Sequence, residues 1–392
     1  MILFEKALEI VLNNAVSTGE EQVGPESAAG RVLSRDVFSD MDMPPFNKSA
    51  VDGFAYRMED FRQGAELRII ETIQAGSVPL LPVQPRECSR IMTGSMLPPG
   101  ADTVIMVEDT EMSSAGTIKL LKQTTSKNIC YQAEDIKNGG KVLDKGTFIQ
   151  PAHLAVMASV GNTGIWVSRQ PHIGIISTGN ELVEPGQKPD GSRIRNSNAW
   201  QLVAQARQIP AGCSYFGIAA DSGDDLRDKI SQALAGSDII VLTGGVSMGD
   251  FDFVPATIES MGAEILFKSV AIQPGRPTVF ARYNDKFIFG LPGNPVSSFV
   301  LFELMVRPFV LKIMGCNPDC LMLTLPMGVD HSRKKTSRKS VIPVRIEKGL
   351  VYPLEYHGSA HINAYTRANG MMIMDIGQTE IKKGELADVR PL

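Results

Sequence analysis

Four acidic side chains sit where short apolar runs end. Glu181 closes Ser177-Thr178-Gly179-Asn180-Glu181, and Asp221 follows the run Ser214–Ile218. Asp250 and Asp252 follow the turn Thr243-Gly244-Gly245-Val246-Ser247-Met248-Gly249. Carboxylates gathered in one crevice are costly unless they are paired or hold a metal. Mg2+ commonly takes one or two protein carboxylates and completes its shell with water and substrate phosphate. As a set at successive strand ends these acids read as functional, although each alone also suits a solvated cap or turn. The glycine turn lets the backbone approach a ligand closely, and its successive N–H groups before a helix favour an anion. No Gly-Lys-Ser/Thr follows, so it is not the nucleotide P-loop, and it lacks the Gly-x-Gly-x-x-Gly of dinucleotide binders. Gly290-Leu291-Pro292-Gly293-Asn294-Pro295 is a rigid strand-to-helix loop with Asn294 as cap and Pro295 at the first helical position. It reads as a helix start or as the wall of an anion pocket. Farther off, Asp52 lies in a turn before Gly53, Thr93 ends the run Arg90-Ile91-Met92, and Asp135 follows Glu134 in a loop. Taken singly, each of these three suits a structural role.

The elements that must position these residues alternate strand and helix. Apolar strands are expected at His172–Ile176, Ser214–Ile218 and Asp238–Leu242, and a hairpin at Thr278–Tyr283 and Lys286–Gly290 around Asn284-Asp285. Helices are expected from about Ala199 with Ser197 or Asn198 as cap, over Leu226–Leu234 with Ser222 or Asp224 as cap, over Pro255–Met261, and after Asn294. Buried strands alternating with helices mean a mostly parallel sheet covered on both faces, with ligands beyond the carboxyl ends of the strands.

This α/β domain, over 171–316, is one of several. A length of 392 residues exceeds a single core. Phe4, Ala7, Leu8 and Val11 open the chain with an amphipathic helix, and Pro44-Pro45 forces an extended link. Short strands then dominate to about Lys127, for example Leu67–Ile70, Ser89–Met92 and Thr103–Val107, and Thr147–Val160 reads as helix. The reading is a split N-terminal domain, 1–43 with 139–170, interrupted by a β-rich module at 44–138. Strand-like pieces at Ser340–Ile346, Val351–Tyr356, Met371–Met374 and Leu386–Arg390 make a small C-terminal β domain, barrel-like, at 317–392. The whole is a multidomain α/β fold.

Composition narrows the class. Apolar residues at 43% and charged residues at 21% are ordinary for a globular chain and exclude disordered and fibrous classes. A net charge of −4 argues against nucleic acid as a partner, so an anion must be held by local donors. The most apolar segment, Pro295–Met314, is broken by Glu303, Arg307 and Pro308 and reads as a buried helix, so no membrane partner is expected. The start, Met1-Ile2-Leu3-Phe4-Glu5-Lys6, does not read as a signal peptide. Cys88, Cys130, Cys213, Cys316 and Cys320 are few and scattered, which suits a reducing, cytoplasmic setting. No second Cys/His pair joins Cys316 and Cys320 to complete a zinc set.

Seven stretches together resemble one family, the molybdopterin molybdenumtransferases, to which the E domain of gephyrin also belongs. They are Pro44 through Ala55, Arg90-Ile91-Met92-Thr93-Gly94, Glu134-Asp135-Ile136, Ser177 through Leu182, Thr243 through Gly249, Pro274-Gly275-Arg276-Pro277 and Gly290 through Pro295, in the family's order and over nearly the whole chain. The resemblance implies an elongated four-domain subunit in a homodimer. The active cleft would lie between the central domain and the N-terminal modules of the other subunit. The implied reaction inserts molybdate, a substrate, into adenylylated molybdopterin and releases AMP, with Mg2+ as helper. By this transfer Glu181 and Asp252 hold the metal, while Asp52, Thr93, Asp135 and Asp221 are catalytic. Ser177, Thr178, Gly179, Thr243, Gly244, Gly245, Ser247, Gln273, Arg276, Pro292, Gly293, Asn294, Pro295 and Ser359 would bind substrate. Family members often carry a lysine before the Pro-Gly pair, and this chain has Gln273, a neutral donor about half as strong. Molybdopterin adenylylation, nucleotide hydrolysis or a non-enzymatic scaffold role are the alternatives on the same central fold.

Overall fold

The computed structural model of the chain describes residues 1–122, 126–246, 253–317 and 322–392. The stripe at Phe4, Ala7 and Val11 produces helix α1, Phe4–Asn13. All three side chains are buried, but in the core of the central domain, with Phe309 and Ile313. The strand-like start adds to this docking. The Ile2 N–H donates to the Ser269 carbonyl at 3.0 Å, and the Ala271 N–H donates to the Ile2 carbonyl at 2.7 Å. An amphipathic stripe says that a helix must bury one face, not which neighbour covers it.

The next segments interleave early and late sequence. Glu20–Val23 pairs antiparallel with Ile165–Ser168, and Val37–Phe38 with Lys141–Leu143. Ala28, Leu33, Val37, Ile149, Met157 and Val167 share one core. The helix expected over 147–160 spans only Pro151–Ser159, because His153 Nδ1 accepts from the Gln150 N–H at 3.1 Å and Pro151 occupies its first turn. Between these halves runs a six-stranded sheet in the order Thr103–Met106, Gly53–Tyr56, Glu87–Ile91, Glu66–Ile73, Thr117–Leu120 and Thr110–Ser114.

The central domain contains β1 (His172–Thr178), α2 (Ser197–Ala206), β2 (Gly212–Ala219), α3 (Gly223–Gly236), β3 (Ile239–Thr243), α4 (Val254–Ser260), β4 (Glu264–Phe267), β5 (Val279–Tyr283) and β6 (Lys286–Leu291). The sheet order is β2-β1-β3-β6-β5-β4. Strands β2, β1, β3 and β6 are parallel, whereas β5 is antiparallel to both of its neighbours, so the sheet is mixed. Alternate residues feed two cores. Ile173, Ile175, Ile239 and Val241 pack with α2 and the helices after β6. Ile176, Ile240 and Leu242 pack with Leu226 and Ile230 of α3 and Ile258 of α4. Each such aliphatic side chain removed from water contributes about 1.5–3 kcal/mol, which makes this doubly covered sheet the rigid part of the chain.

The segment after Asn294 is helical as expected but not uniform. Helix α5 (Pro295–Leu301) passes through a π segment, Phe302–Val306, into α6 (Arg307–Ile313). Pro308 has no N–H to offer the preceding turn, and a π segment accommodates that loss. Phe309 anchors α6 on the sheet, with ring centroids 4.9 Å from Phe287 and 5.4 Å from Phe289.

The C-terminal domain holds β7 (Leu323–Pro326), β8 (Lys339–Glu347), β9 (Leu350–Pro353), β10 (Gly370–Met374) and β11 (Leu386–Pro391). Its strands pair along the path β9-β8-β10-β11-β7. Among the described residues, the bridge of Met327 to Val351 joins the two ends of that path. A short central-domain strand, Ile272–Gln273, pairs parallel with β8 and carries the ladder across the domain boundary. A buried ion cluster fastens the same boundary. Glu303 is 5% exposed and accepts from Arg307 Nε at 2.7 Å and Gln205 Nε2 at 2.8 Å, with Arg390 of β11 at 3.7 Å. No helix among the described residues is long and apolar enough to cross a membrane.

Removing one member of a buried ion cluster leaves the others desolvated and unpaired. Glu303→Ala is expected to destabilise the protein by about 3 kcal/mol in denaturant unfolding. Arg282→Ala, which breaks only the exposed pair with Glu264, should cost under about 1 kcal/mol. Equal effects of the two substitutions would refute this account of the boundary.

Candidate functional site

Three parallel strands end at one level. Ser177 pairs with Thr243, and Thr243 with Leu291. The order β2-β1-β3 makes the gap between β1 and β3 a switch point, where a crevice opens beyond the carboxyl ends. Gly244, at φ +96°, starts the turn after β3, and its N–H donates to the Leu291 carbonyl at 3.0 Å. A Cβ there would lie 2.4 Å from the Thr178 carbonyl oxygen, so the turn after β3 rests directly on the end of β1.

Side-chain amides fix the neighbouring loops. Asn198, 8% exposed, donates to Thr243 Oγ1 at 3.0 Å and to the Gly293 carbonyl at 2.7 Å. Helix α2 begins at Ser197, and its cap is Asn196, one residue before the first expected cap and two before the second, because Asn196 accepts from the Ala199 N–H. Asn196 also accepts from Ser177 Oγ at 3.1 Å and donates to Tyr215 OH at 2.7 Å. Tyr215 in turn donates to Glu184 at 2.7 Å, and its phenol is pushed up by burial and by that carboxylate. Ser222 caps α3 by accepting from the Asp225 N–H. Asn294 stands before Pro295 as expected, yet its side chain makes no cap bond to α5.

These loops line two cavities that share Asn294. The first, about 400 Å³, is lined by Thr178, Glu181, Thr243, Gly293, Asn294 and Pro295, with Asn196 and Asn198 beside them. Thr178 is 5% exposed, and its Oγ1 has no hydrogen-bond partner among the described residues. Glu181 is exposed at the rim. The second cavity, about 430 Å³, is lined by Gln273, Arg276, Pro292, Asn294, Arg338 and Ser359. Arg338 Nη2 donates to Gln273 Oε1 at 3.4 Å. The Ser359 carbonyl accepts from the Val296 N–H at 3.0 Å, which seats this C-terminal loop on the start of α5.

The remaining expected site residues fall elsewhere. Asp221 holds the Asn180 N–H at 3.0 Å, while Asn180 Oδ1 accepts from the Asp221 N–H at 3.2 Å, so this pair clamps the β1 and β2 loops together. Asp221 lines neither cavity. Asp52 and Thr93 do meet. The Thr93 N–H and Oγ1–H both donate to Asp52 Oδ1, at 2.6 and 2.8 Å, and hold its carboxyl below the usual range. Gly53 makes this turn possible, since a Cβ there would overlap the Ile105 carbonyl. The Asp135 N–H donates to the Met43 carbonyl at 3.0 Å in the neighbouring loop. No described residue of 44–138 lines either cavity within one chain. Ser247 and Asp252 lie outside the described residues.

Sequence reasoning missed Asn196, Asn198, Tyr215 and Arg338. The two asparagines carried a signal, as paired amides at a helix start, but that signal was absorbed by capping. Arg338 lies just past the basic run His331-Ser332-Arg333-Lys334-Lys335, which resembles a solvated loop. Pairing of Ile272–Gln273 with β8 brings it to the cavity, and that contact spans two domains.

Among the described residues, no group of three His, Cys, Asp or Glu side chains converges on a metal position. Mg2+ that borrows phosphate oxygens needs fewer protein ligands, and Glu181 offers one beside the unpartnered Thr178 hydroxyl.

Gly244→Ala would place a methyl group against backbone in a conformation that L residues avoid. The expected result is a stability loss of about 1–3 kcal/mol, with loss of activity exceeding that of Gly223→Ala, whose site is open. Unchanged unfolding and turnover for Gly244→Ala would refute the close-approach argument.

Comparison with known proteins agrees with this architecture. Residues 2–161 match the MoeA N-terminal region (domain I and II), residues 174–312 the probable molybdopterin binding domain, and residues 329–392 the MoeA C-terminal region (domain IV). A molybdopterin molybdenumtransferase of Staphylococcus epidermidis is 35% identical over 99% of this chain and 95% of its own length. One of Bacillus subtilis is 33% identical over 99% of this chain and 95% of its own. The crystal structure of a molybdopterin biosynthesis MoeA protein from Pyrococcus horikoshii OT3 superposes with a TM-score of 0.87 at 27% identity, over the full length of both chains. With its three matched regions in order and full-length relatives at this identity, the chain belongs to the molybdopterin molybdenumtransferases, the MoeA family of enzymes in molybdenum cofactor biosynthesis.

Proposed function

We propose that this enzyme inserts molybdate into adenylylated molybdopterin with release of AMP. The observation that carries the reading is the pair of cavities meeting at Asn294, of unlike chemistry. The first combines the hydroxyls of Thr178 and Thr243 with the amides of Asn196, Asn198 and Asn294, next to the turn after β3, which suits the pyrophosphate of an adenylylated substrate. The second gathers Arg276, Arg338, Gln273 and Ser359, cationic and neutral donors suited to a tetrahedral oxyanion.

In this reading the pyrophosphate lies along Thr178, Thr243 and the turn Gly244-Gly245, within reach of Ser177 and Gly179 through the same strand end. Ser247, as the next residue of the turn, belongs to the same group. Molybdate occupies the second cavity, held by Arg276, Arg338, Gln273 and Ser359. Pro292, Gly293 and Pro295 keep the wall between them rigid. The two dithiolene thiols bond to molybdenum in place of one molybdate oxygen, which leaves as water with the two thiol protons, and a second water cleaves the phosphoanhydride to give the molybdopterin phosphate and AMP. The protein's contribution is positioning and charge stabilisation. Mg2+, held by Glu181 and by Asp252, would supply charge neutralisation at the phosphates. Asp221 acts through the Asn180 clamp. Asp52, Thr93 and Asp135 would complete the cleft from the other subunit of a homodimer, since no described residue of 44–138 lines either cavity within one chain. The reaction is assigned to the cytoplasm.

The test is turnover by purified protein given adenylylated molybdopterin, molybdate and Mg2+, with AMP and active cofactor followed together. Both should appear only with molybdate, and Glu181→Gln should lower kcat/KM by about 10²–10³-fold. AMP release independent of molybdate would identify a hydrolase instead. Thr178→Val removes an unpartnered buried hydroxyl. It is expected to leave the melting temperature unchanged or higher while raising KM for the adenylylated substrate several-fold. A fall in stability with unchanged KM would contradict the assignment of that hydroxyl to substrate.

A further inference from the structure

A third cavity, about 490 Å³, is lined by α2, the end of α5, the π segment and residues of the C-terminal domain. It is lined by Gln201, Gln205, Glu303, Arg307, Tyr365 and Arg390, among others. Its size falls in the range of small-molecule sites. Its polar groups are unevenly satisfied. Glu303 already accepts three hydrogen bonds, two from Arg307 and one from Gln205. Arg390 is 8% exposed, yet its guanidinium donates no hydrogen bond among the described residues, and its Nε is buried without a partner. Its nearest anion is the Glu303 carboxylate at 3.7 Å, which Arg307 already holds at 2.7 Å. Tyr365, also 8% exposed, has a buried hydroxyl with no partner.

Two arginines thus share the Glu303 carboxylate in a cavity that Leu392 also lines, and the Arg390 Nε and the Tyr365 hydroxyl are left without a hydrogen-bond partner among the described residues. A buried guanidinium without hydrogen bonds is costly, and a planar, two-oxygen anion satisfies it best. The π segment Phe302–Val306 carries Glu303 into this cluster, and such segments recur at functional sites. We infer that this interdomain cavity binds a small oxyanion, a carboxylate or phosphate group, with Arg390 as its principal ligand and Tyr365 as a second donor. The occupant bridges β11 to α5 and the π segment, and so stabilises the docking of the C-terminal domain. This inference is independent of the transferase reaction.

Phosphate also suits the cavity of Arg276 and Arg338, so the two sites must be separated. Inorganic phosphate and malonate are titrated by calorimetry into the full-length Arg338→Ala protein, with thermal unfolding followed in parallel. Saturable binding of at least one of them, with a raised melting temperature, is expected to persist in this variant. Adding Arg390→Met should weaken it at least about tenfold, the loss of one charge-assisted hydrogen bond. No binding to Arg338→Ala, or equal binding after Arg390→Met, overturns the inference. Should Arg390→Met not fold, Tyr365→Phe decides. It is expected to melt no lower than the parent without ligand and to bind several-fold more weakly, and unchanged affinity overturns the inference.

Discussion

The site depends on one backbone contact, the seating of the Gly244 turn on the carbonyl of Thr178. Because the parallel strands end in register, the loops after β1, β3 and β6 are forced into the same small volume. Only a residue without a Cβ lets the middle loop settle there. The contact is braced by Asn198, which reaches both Thr243 and Gly293. Thr178, Thr243 and Asn294 are thereby gathered along one cavity with little left to reorganise. Such preorganisation is what oxyanion and phosphate chemistry needs from a protein.

The second constraint is the docking of the C-terminal domain. The cavity of Arg276 and Gln273 is completed by Arg338 and Ser359 from beyond the central domain. Two backbone links fix these, the ladder of Ile272–Gln273 with β8 and the bond from Val296 to Ser359. Beyond the end of α5, Glu303 and Arg390 tie the same two domains. Helix α1 adds its own face to the central core and holds residues 269–271 through Ile2. The two cavities and the interdomain packing therefore share the same few elements, α5 above all.

Much of the central domain was legible because its signals are local. Apolar runs such as Ile173–Ile176 and Ile239–Leu242, with glycine turns at their ends, read as buried strands, and both are. The hairpin around Asn284-Asp285 and the Ser222 cap follow from side-chain chemistry a few residues wide. The rest was not local. The partner of α1, the arrival of Arg338 beside Gln273 and the clamp of Asp221 on Asn180 each join segments far apart in sequence. Asn196 and Asn198 illustrate the boundary. Their type announces a helix start, but one spends its oxygen on the cap while the other ties two loops, and only the fold separates those roles. The π segment was equally hidden, since Pro308 marks a disturbance without stating its form.

The central claim is that the two cavities meeting at Asn294 form one site, with a phosphoanhydride in one and an oxyanion in the other. Coupling between their ligands tests it most directly, because two occupants of one site change each other's affinity reciprocally. The measurement is calorimetric titration of AMP into the full-length protein with and without saturating molybdate, repeated for Asn294→Ala. The account predicts that molybdate shifts the AMP dissociation constant by about fivefold or more and that Asn294→Ala reduces the shift. AMP affinity indifferent to molybdate in the unsubstituted protein would contradict a single shared site.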